Sequence, residues 1–277
     1  MSDDPSAGSP GSDWTDQGLQ SSGDTGDSGA ATWQASRQQA TPPPAGGFGV
    51  PTAPPLERLR MAYQRRHDTD YIANFWSALG WGILTLGIFY LYMYYQLLRR
   101  MRDHNSRRLD VLDAANAYAW DVAGQRGLQA ELRPNFERAS AGLESLRRVG
   151  TQMREPAIWL VILIAASWLT YIGGLVVYFI VYCGLDASLI KHDSAEGGIE
   201  DELSIIYARL GQPVPQPDPT RVKGPHNYAG RIVASIFSLG FYNLWWTYNL
   251  MKEPNQHFEI NWAWEDSLAR AAQALHQ

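Results

Sequence analysis

Three histidines in this 277-residue chain carry the same spacing. His104 precedes Asp113, His192 precedes Asp201 and His257 precedes Asp266, each by nine residues. Neutral imidazole and carboxylate together suit Zn or Fe, so the set could form a pseudo-symmetric metal site. The competing reading is a structural clip, in which each His closes a turn by bonding the acid that opens the next helix. No H-x-x-x-H or C-x-x-C spacing supports a metal, so the clip is the expected role. A G-x-S-x-G elbow, a Walker A loop and a dinucleotide fingerprint are all absent, and neither a catalytic residue nor a cofactor is expected. Cys183 has no second cysteine to pair with and reads as a small buried apolar residue.

The elements that must position these residues are set by where charge is missing. Residues 71–98, 157–185 and 232–251 contain no Asp, Glu, Lys or Arg, in runs of 28, 29 and 20. A spanning helix needs about 20 residues to cross about 30 Å of hydrocarbon. Three such runs imply an all-α integral membrane protein, although the mean hydropathy of -0.28 looks soluble. Tyr and Trp crowd the ends of the first and third runs, as interfacial rings do. The average is lowered by residues 1–55, which hold six Asp and one Arg and therefore the whole net charge of -5. With eight of the 16 prolines and nine of the 25 glycines, this tail is expected to be disordered. No Asp, Glu, Lys, Arg or His lies within a run, with Asp186 and Arg231 only at run ends, which weakens a transporter reading.

Between the runs the apolar spacing changes. Leu128, Leu132, Phe136, Ala139, Leu143, Leu146 and Met153 recur at three- and four-residue steps, an amphipathic helix that suits either core packing or the bilayer surface. Ile199, Leu203, Ile206, Tyr207 and Leu210 form a second stripe, ended by Gly211 and a Pro-rich linker.

The first and third runs also align with one another. Residues 85–98 read TLGIFYLYMYYQLL and residues 238–251 read SLGFYNLWWTYNLM, at an offset of 153 that carries His104 onto His257 and Asp113 onto Asp266. Anchored on its histidine, the second run supplies a divergent third copy. This pattern, with Asn-Leu-Met-Lys, His-Phe and Trp-Glu-Asp-x-Leu after the third run, resembles domain-of-unknown-function family 4234 over residues 70–277. The resemblance implies a small bacterial membrane protein and brings no activity.

The copies leave two topologies open. Three single spans would place His192 on the opposite side from the other two histidines. Re-entrant hairpins would place all three on one side, with turns at Thr85 and Gly87, at Gly173 and Gly174, and at Ser238 and Gly240. Basic residues flank every run on both sides, so the positive-inside rule does not choose.

The expected organisation is a tail (1–55), a first membrane repeat (56–126), an amphipathic linker (127–155), a second repeat (156–212), a Pro-rich linker (213–225) and a third repeat (226–277). The expected function is a non-enzymatic structural or adaptor protein of the bacterial inner membrane, multi-pass, meeting the lipid bilayer and protein partners through tail and linkers. Self-association into a homo-oligomer is compatible with this, and nucleic acid is not an expected partner. A small transporter or channel subunit is the alternative, and a metal-dependent membrane enzyme is third.

Overall fold

The computed structural model describes residues 53–150, 155–218, 224 and 226–277. All but the last three residues of the acidic tail lie outside this set. The described residues are all-helical, with no strand among them.

The three uncharged runs do not build three spanning helices. Each is broken, and only one of the described helices is long and apolar enough to cross a membrane. The first run forms α3 (Phe75–Leu84) and the start of α4 (Ile88–Gln125), after two short helices, α1 (Pro55–Gln64) and α2 (Arg66–Thr69). The second forms α6 (Pro156–Leu169) and the start of α7 (Tyr171–Arg209). The third forms α8 (Tyr228–Phe237) and the start of α9 (Phe241–His276). Helix α5 (Gln129–Gly150) connects the first unit to the second.

The breaks at the first and third units follow one local plan. Leu86 and Leu239 both have φ 50°, and Gly87 and Gly240 follow at 92° and 91°. Two successive left-handed residues cannot continue a right-handed helix. The Gly87 and Gly240 amides reach back to the carbonyls of Gly82 and Ser235 at 2.8 and 2.9 Å, which satisfies two otherwise open helix ends. The Thr85 hydroxyl accepts from the Phe89 amide at 3.0 Å, and the Ser238 hydroxyl accepts from the Tyr242 amide at 2.9 Å, so each caps the next helix.

The second unit turns differently. Its break is the single extended residue Thr170, and Gly173 and Gly174 lie in the first turn of α7. The Thr170 hydroxyl accepts from the Gly173 amide at 2.9 Å. A Cβ on Gly174 would sit 2.2 Å from Ser167 Oγ, so this glycine permits close helix approach and is not the turn itself.

The result is three helical hairpins. The Gly82 backbone meets the Tyr90 ring, and Arg231 lies 5.6 Å from the Trp245 and Trp246 ring centres, pairs that a continuous helix would hold far apart. Each short helix also touches the long helix of another unit. Phe75 of α3 meets Tyr248 of α9 edge to face at 5.4 Å, α6 packs on α4, and Arg231 of α8 bonds Asp186 of α7 at 2.6 Å. Helices α4, α7 and α9 run side by side in one direction.

These long helices have 38, 39 and 36 residues and continue without interruption through their histidines, where a polar turn was expected. Helix α4 contains no Gly or Pro before Gly124, so nothing stops it. Helix α9 does contain Pro254, whose ring nitrogen cannot donate to the Leu250 carbonyl. Arg100 of α4 donates to that freed carbonyl and, at 3.0 Å, to Asn255 Oδ1.

Among the described residues the linker stripe resolves to core packing, and Met153 lies outside them. Leu132, Phe136, Ala139, Leu143 and Leu146 of α5 are buried, and α5 lies on α4 and α7. Ile199, Leu203, Ile206 and Tyr207, read as a separate short helix, belong to the end of α7 and are fully buried.

Candidate metal centre

A nine-residue step on a continuous α-helix turns about 900°, which places the second residue on the opposite face roughly 13 Å further along. His104, His192 and His257 therefore cannot bond Asp113, Asp201 and Asp266. The acids face outward instead. Asp113 pairs with Arg58 of α1 at 2.9 Å, Asp266 accepts from Tyr63 at 2.7 Å and from Arg66, and Asp201 is exposed.

The histidines face inward and meet. Their ring centres form a nearly equilateral triangle, with sides of 5.2, 5.3 and 5.4 Å. Each comes from a different long helix, and none of the three is accessible to solvent. Glu196, one turn beyond His192 on α7, joins them. Its Oε2 lies 3.3 Å from His192 Nε2 and 3.2 Å from His257 Nε2. One ligand atom from each of the four residues lies within 4.8 Å of the other three. Three imidazoles and a carboxylate at this separation can close around one transition-metal ion after a small contraction.

No protein-family model, curated protein or solved structure matches the chain. The centre must therefore be read from its own chemistry.

The tautomer of His104 is set by its neighbour. Burial alone would raise the Asp70 carboxyl, but His104 and Arg107 beside it hold it well below the usual carboxylate range. An ionised carboxylate only accepts, so at 3.0 Å His104 Nδ1 must donate to Asp70. Burial also pushes His104 down to about 3, against the pull of Asp70, so the ring is neutral. Its Nε2 then carries a lone pair, faces the triangle and has no hydrogen-bond partner. Carboxylate, imidazole and open ring nitrogen in this order are the arrangement that orients a metal-binding histidine. Neither ring nitrogen of His192 makes an aligned hydrogen bond.

Glu196 is also held in its ionised form. Burial would raise it, but Arg108 and His192 pull it well below its usual value. Arg108 donates to Glu196, Glu200 and, at 2.8 Å, to Glu265. Arg107 forks between Asp70 and Glu265, at 2.6 and 2.8 Å. Asn261 donates its amide to both oxygens of Glu196, at 3.2 and 3.1 Å, and lies 3.0 Å from His257 Nε2. The Trp262 indole donates to Asp70 at 2.7 Å.

This network contains four buried carboxylates, Asp70, Glu196, Glu200 and Glu265, and two buried guanidiniums, Arg107 and Arg108, all at most 1% exposed. Buried charge is costly unless it is paired, and a divalent cation within the histidine triangle would add to the pairing of Glu196.

Of the residues that build the centre, the histidines were visible in the sequence. Glu196 was not, yet a signal existed, because His192 and Glu196 are separated by the i, i+4 spacing that places two side chains on one helix face. Asp70 lies 34 residues from its histidine, in the connection before α3, and no spacing rule reaches it.

Arg108 holds three of these carboxylates, so replacing it with methionine leaves them uncompensated at similar side-chain volume. Arg108→Met is expected to cost about 3–5 kcal/mol of stability, as removal of one partner from a buried ionic network does. Urea unfolding followed by circular dichroism measures this. A loss below about 1 kcal/mol would show that the carboxylates do not depend on Arg108.

Proposed function

We propose that this chain is a membrane-seated scaffold protein whose three parallel helices are pinned by one divalent transition-metal ion, held by His104, His192, His257 and Glu196. The observation that carries the reading is the triangle of buried imidazoles, one from each long helix. Four protein donors would hold such an ion, and their full burial leaves no face for substrate, which is the character of a structural rather than a catalytic ion. The proposed role is accordingly a non-enzymatic one.

The membrane seat is supported by the hairpin tips. Leu86, Leu239 and Trp168 are 95%, 91% and 89% exposed, and Phe237, Leu169, Tyr171 and Ile88 accompany them at the same end of the bundle. A soluble surface rarely gathers so much exposed apolar area. Along the long helix of each hairpin, from the tip to the first charged residue, Arg99, Asp186 or Lys252, there are 12 to 16 residues, about 18–24 Å of helix against about 30 Å of hydrocarbon, and on the short arm of the third hairpin Arg231, paired with Asp186, stands nine residues before Gly240. The three hairpins would therefore enter from one side without crossing, and the metal centre would lie on that same side. The family resemblance implies the bacterial inner membrane as the seat, and the threefold repetition explains why three similar tips share one depth.

Metal content tests the centre. The full chain, purified in mild detergent without chelator, is expected to carry about one equivalent of Zn, Fe or Mn by mass spectrometry of the elements. Changing His104, His192 and His257 together to alanine should remove it. Glu196→Gln, which preserves shape but not charge, should weaken retention by about tenfold or more. Folded wild-type protein that contains no such metal and takes up none on dialysis against Zn would overturn the proposal.

A further inference from the structure

A cavity of about 320 Å³ lies on the tip side of the histidine triangle, between the same long helices. Helix α4 contributes Tyr90 and Tyr94, α7 contributes Tyr178 and Tyr182, and α9 contributes Asn243 and Thr247. The remaining wall is Leu and Met, and no Asp, Glu, Lys, Arg or His lines it. Its mouth is on the flank, where Tyr90, Leu91 and Leu244 are about two-fifths exposed.

Two polar atoms here lack partners. Tyr94 is 5% exposed, and its buried hydroxyl makes no hydrogen bond. Asn243 Oδ1 is likewise buried and unbonded. By contrast, the Tyr182 and Thr247 hydroxyls satisfy each other at 3.0 Å. An unmet buried donor and an unmet buried acceptor each cost about 1–3 kcal/mol, so both should be met when the protein is occupied. A single hydroxyl has the groups to do this, as it can accept from Tyr94 O–H and donate to Asn243 Oδ1. A carbonyl would leave Asn243 unmet, and a charged headgroup would find no counter-ion.

We infer that this cavity binds a neutral alcohol dissolved in the bilayer, with its hydroxyl between Tyr94 and Asn243 and its chain leaving through the mouth between Leu91 and Leu244. The route of entry rests on the membrane seat, while the site does not depend on the metal. At roughly 30 Å³ for each water-sized group, the space holds about ten heavy atoms, so the hydroxyl end of a longer chain is enclosed and the rest lies in lipid. Tyr94 is about 11 Å of helix below the Gly87 tip, within the part of the bundle that would be surrounded by acyl chains.

The test uses the full chain in detergent micelles and three probes that share one carbon skeleton. These are farnesol, its methyl ether and the corresponding hydrocarbon, with binding followed by native mass spectrometry. Farnesol should bind at least tenfold more tightly than the methyl ether, which accepts but cannot donate, and more tightly still than the hydrocarbon. Tyr94→Phe and Asn243→Leu should each reduce farnesol binding about tenfold and leave hydrocarbon binding unchanged. Equal affinity for the three probes, or wild-type affinity in both variants, would overturn the inference. Vesicle flotation of the same protein separates this outcome from failure of the membrane seat. A chain that floats but does not discriminate the alcohol refutes the site alone, and a chain that discriminates but does not float refutes the seat alone.

Discussion

Removing the ion is expected to lower the melting temperature of the full chain by about 10–20 °C. Structural zinc in small domains contributes on the order of 10 kcal/mol, because the binding energy is folding energy. Here the bundle has a hydrophobic core of its own, so we expect a smaller loss of about 5 kcal/mol, and in a chain of this size each kcal/mol moves the midpoint by about 2–4 °C. The loss has two sources. Three parallel helices are no longer cross-linked at the level of the triangle, and the fully buried Glu196 loses the cation beside it. Melting in detergent, followed at 222 nm with and without chelator, measures the effect. Added Zn should restore the midpoint, and Mg, which prefers oxygen ligands, should not. The triple histidine variant should melt like stripped wild type and ignore the chelator. If stripping leaves the melting curve unchanged, the ion does not pin the helices.

The centre was half legible in the sequence, and the missing half has a physical cause. Alignment of the repeats put His104, His192 and His257 in register, because repeated units place equivalent residues at equivalent depth. The same alignment suggested a partner nine residues away, which is a correct spacing with the wrong geometry. On one unbroken helix that step reaches the opposite face, so Asp113 and Asp266 serve α1 and α2, pairing with Arg58 and Arg66. The fourth ligand breaks the repeat. At the position one turn after each histidine stand Arg108, Glu196 and Asn261, three different chemistries. Any search for a repeated set discards such a position, yet it is where a donor, the guanidinium that balances it and an amide that holds it must differ.

The fold divides in a similar way. Absence of charge located the apolar helical segments, but it does not say whether a run is one helix or two. That depends on Leu86 and Gly87, and on Leu239 and Gly240, where the left-handed backbone ends the helix after ten residues. The Gly173–Gly174 pair looked like the equivalent turn and serves another purpose, letting α6 approach α7. Glycine marks a turn only where positive φ is needed, and a sequence shows the residue but not the angle.

The largest effect is expected at the tips. Changing Leu86, Leu169 and Leu239 to aspartate should abolish vesicle association while leaving helicity and metal content intact. Leu is favourable by about 0.5 kcal/mol and Asp unfavourable by about 3 in the hydrocarbon, so three replacements oppose insertion by about 10 kcal/mol. The fold should tolerate them. All three side chains are more than four-fifths exposed, and exposed substitutions of this kind in water change stability by about 0.5 kcal/mol or less. At Leu86 and Leu239 aspartate even relieves the backbone, since it enters the left-handed region more easily than leucine. The variant should therefore become more soluble without becoming less folded, a pair of outcomes that a tip serving a hydrophobic core could not give. Flotation through a density gradient, alongside circular dichroism and metal analysis, reads both outcomes. A triple variant that still floats with the vesicles would show that the hairpins do not enter the bilayer.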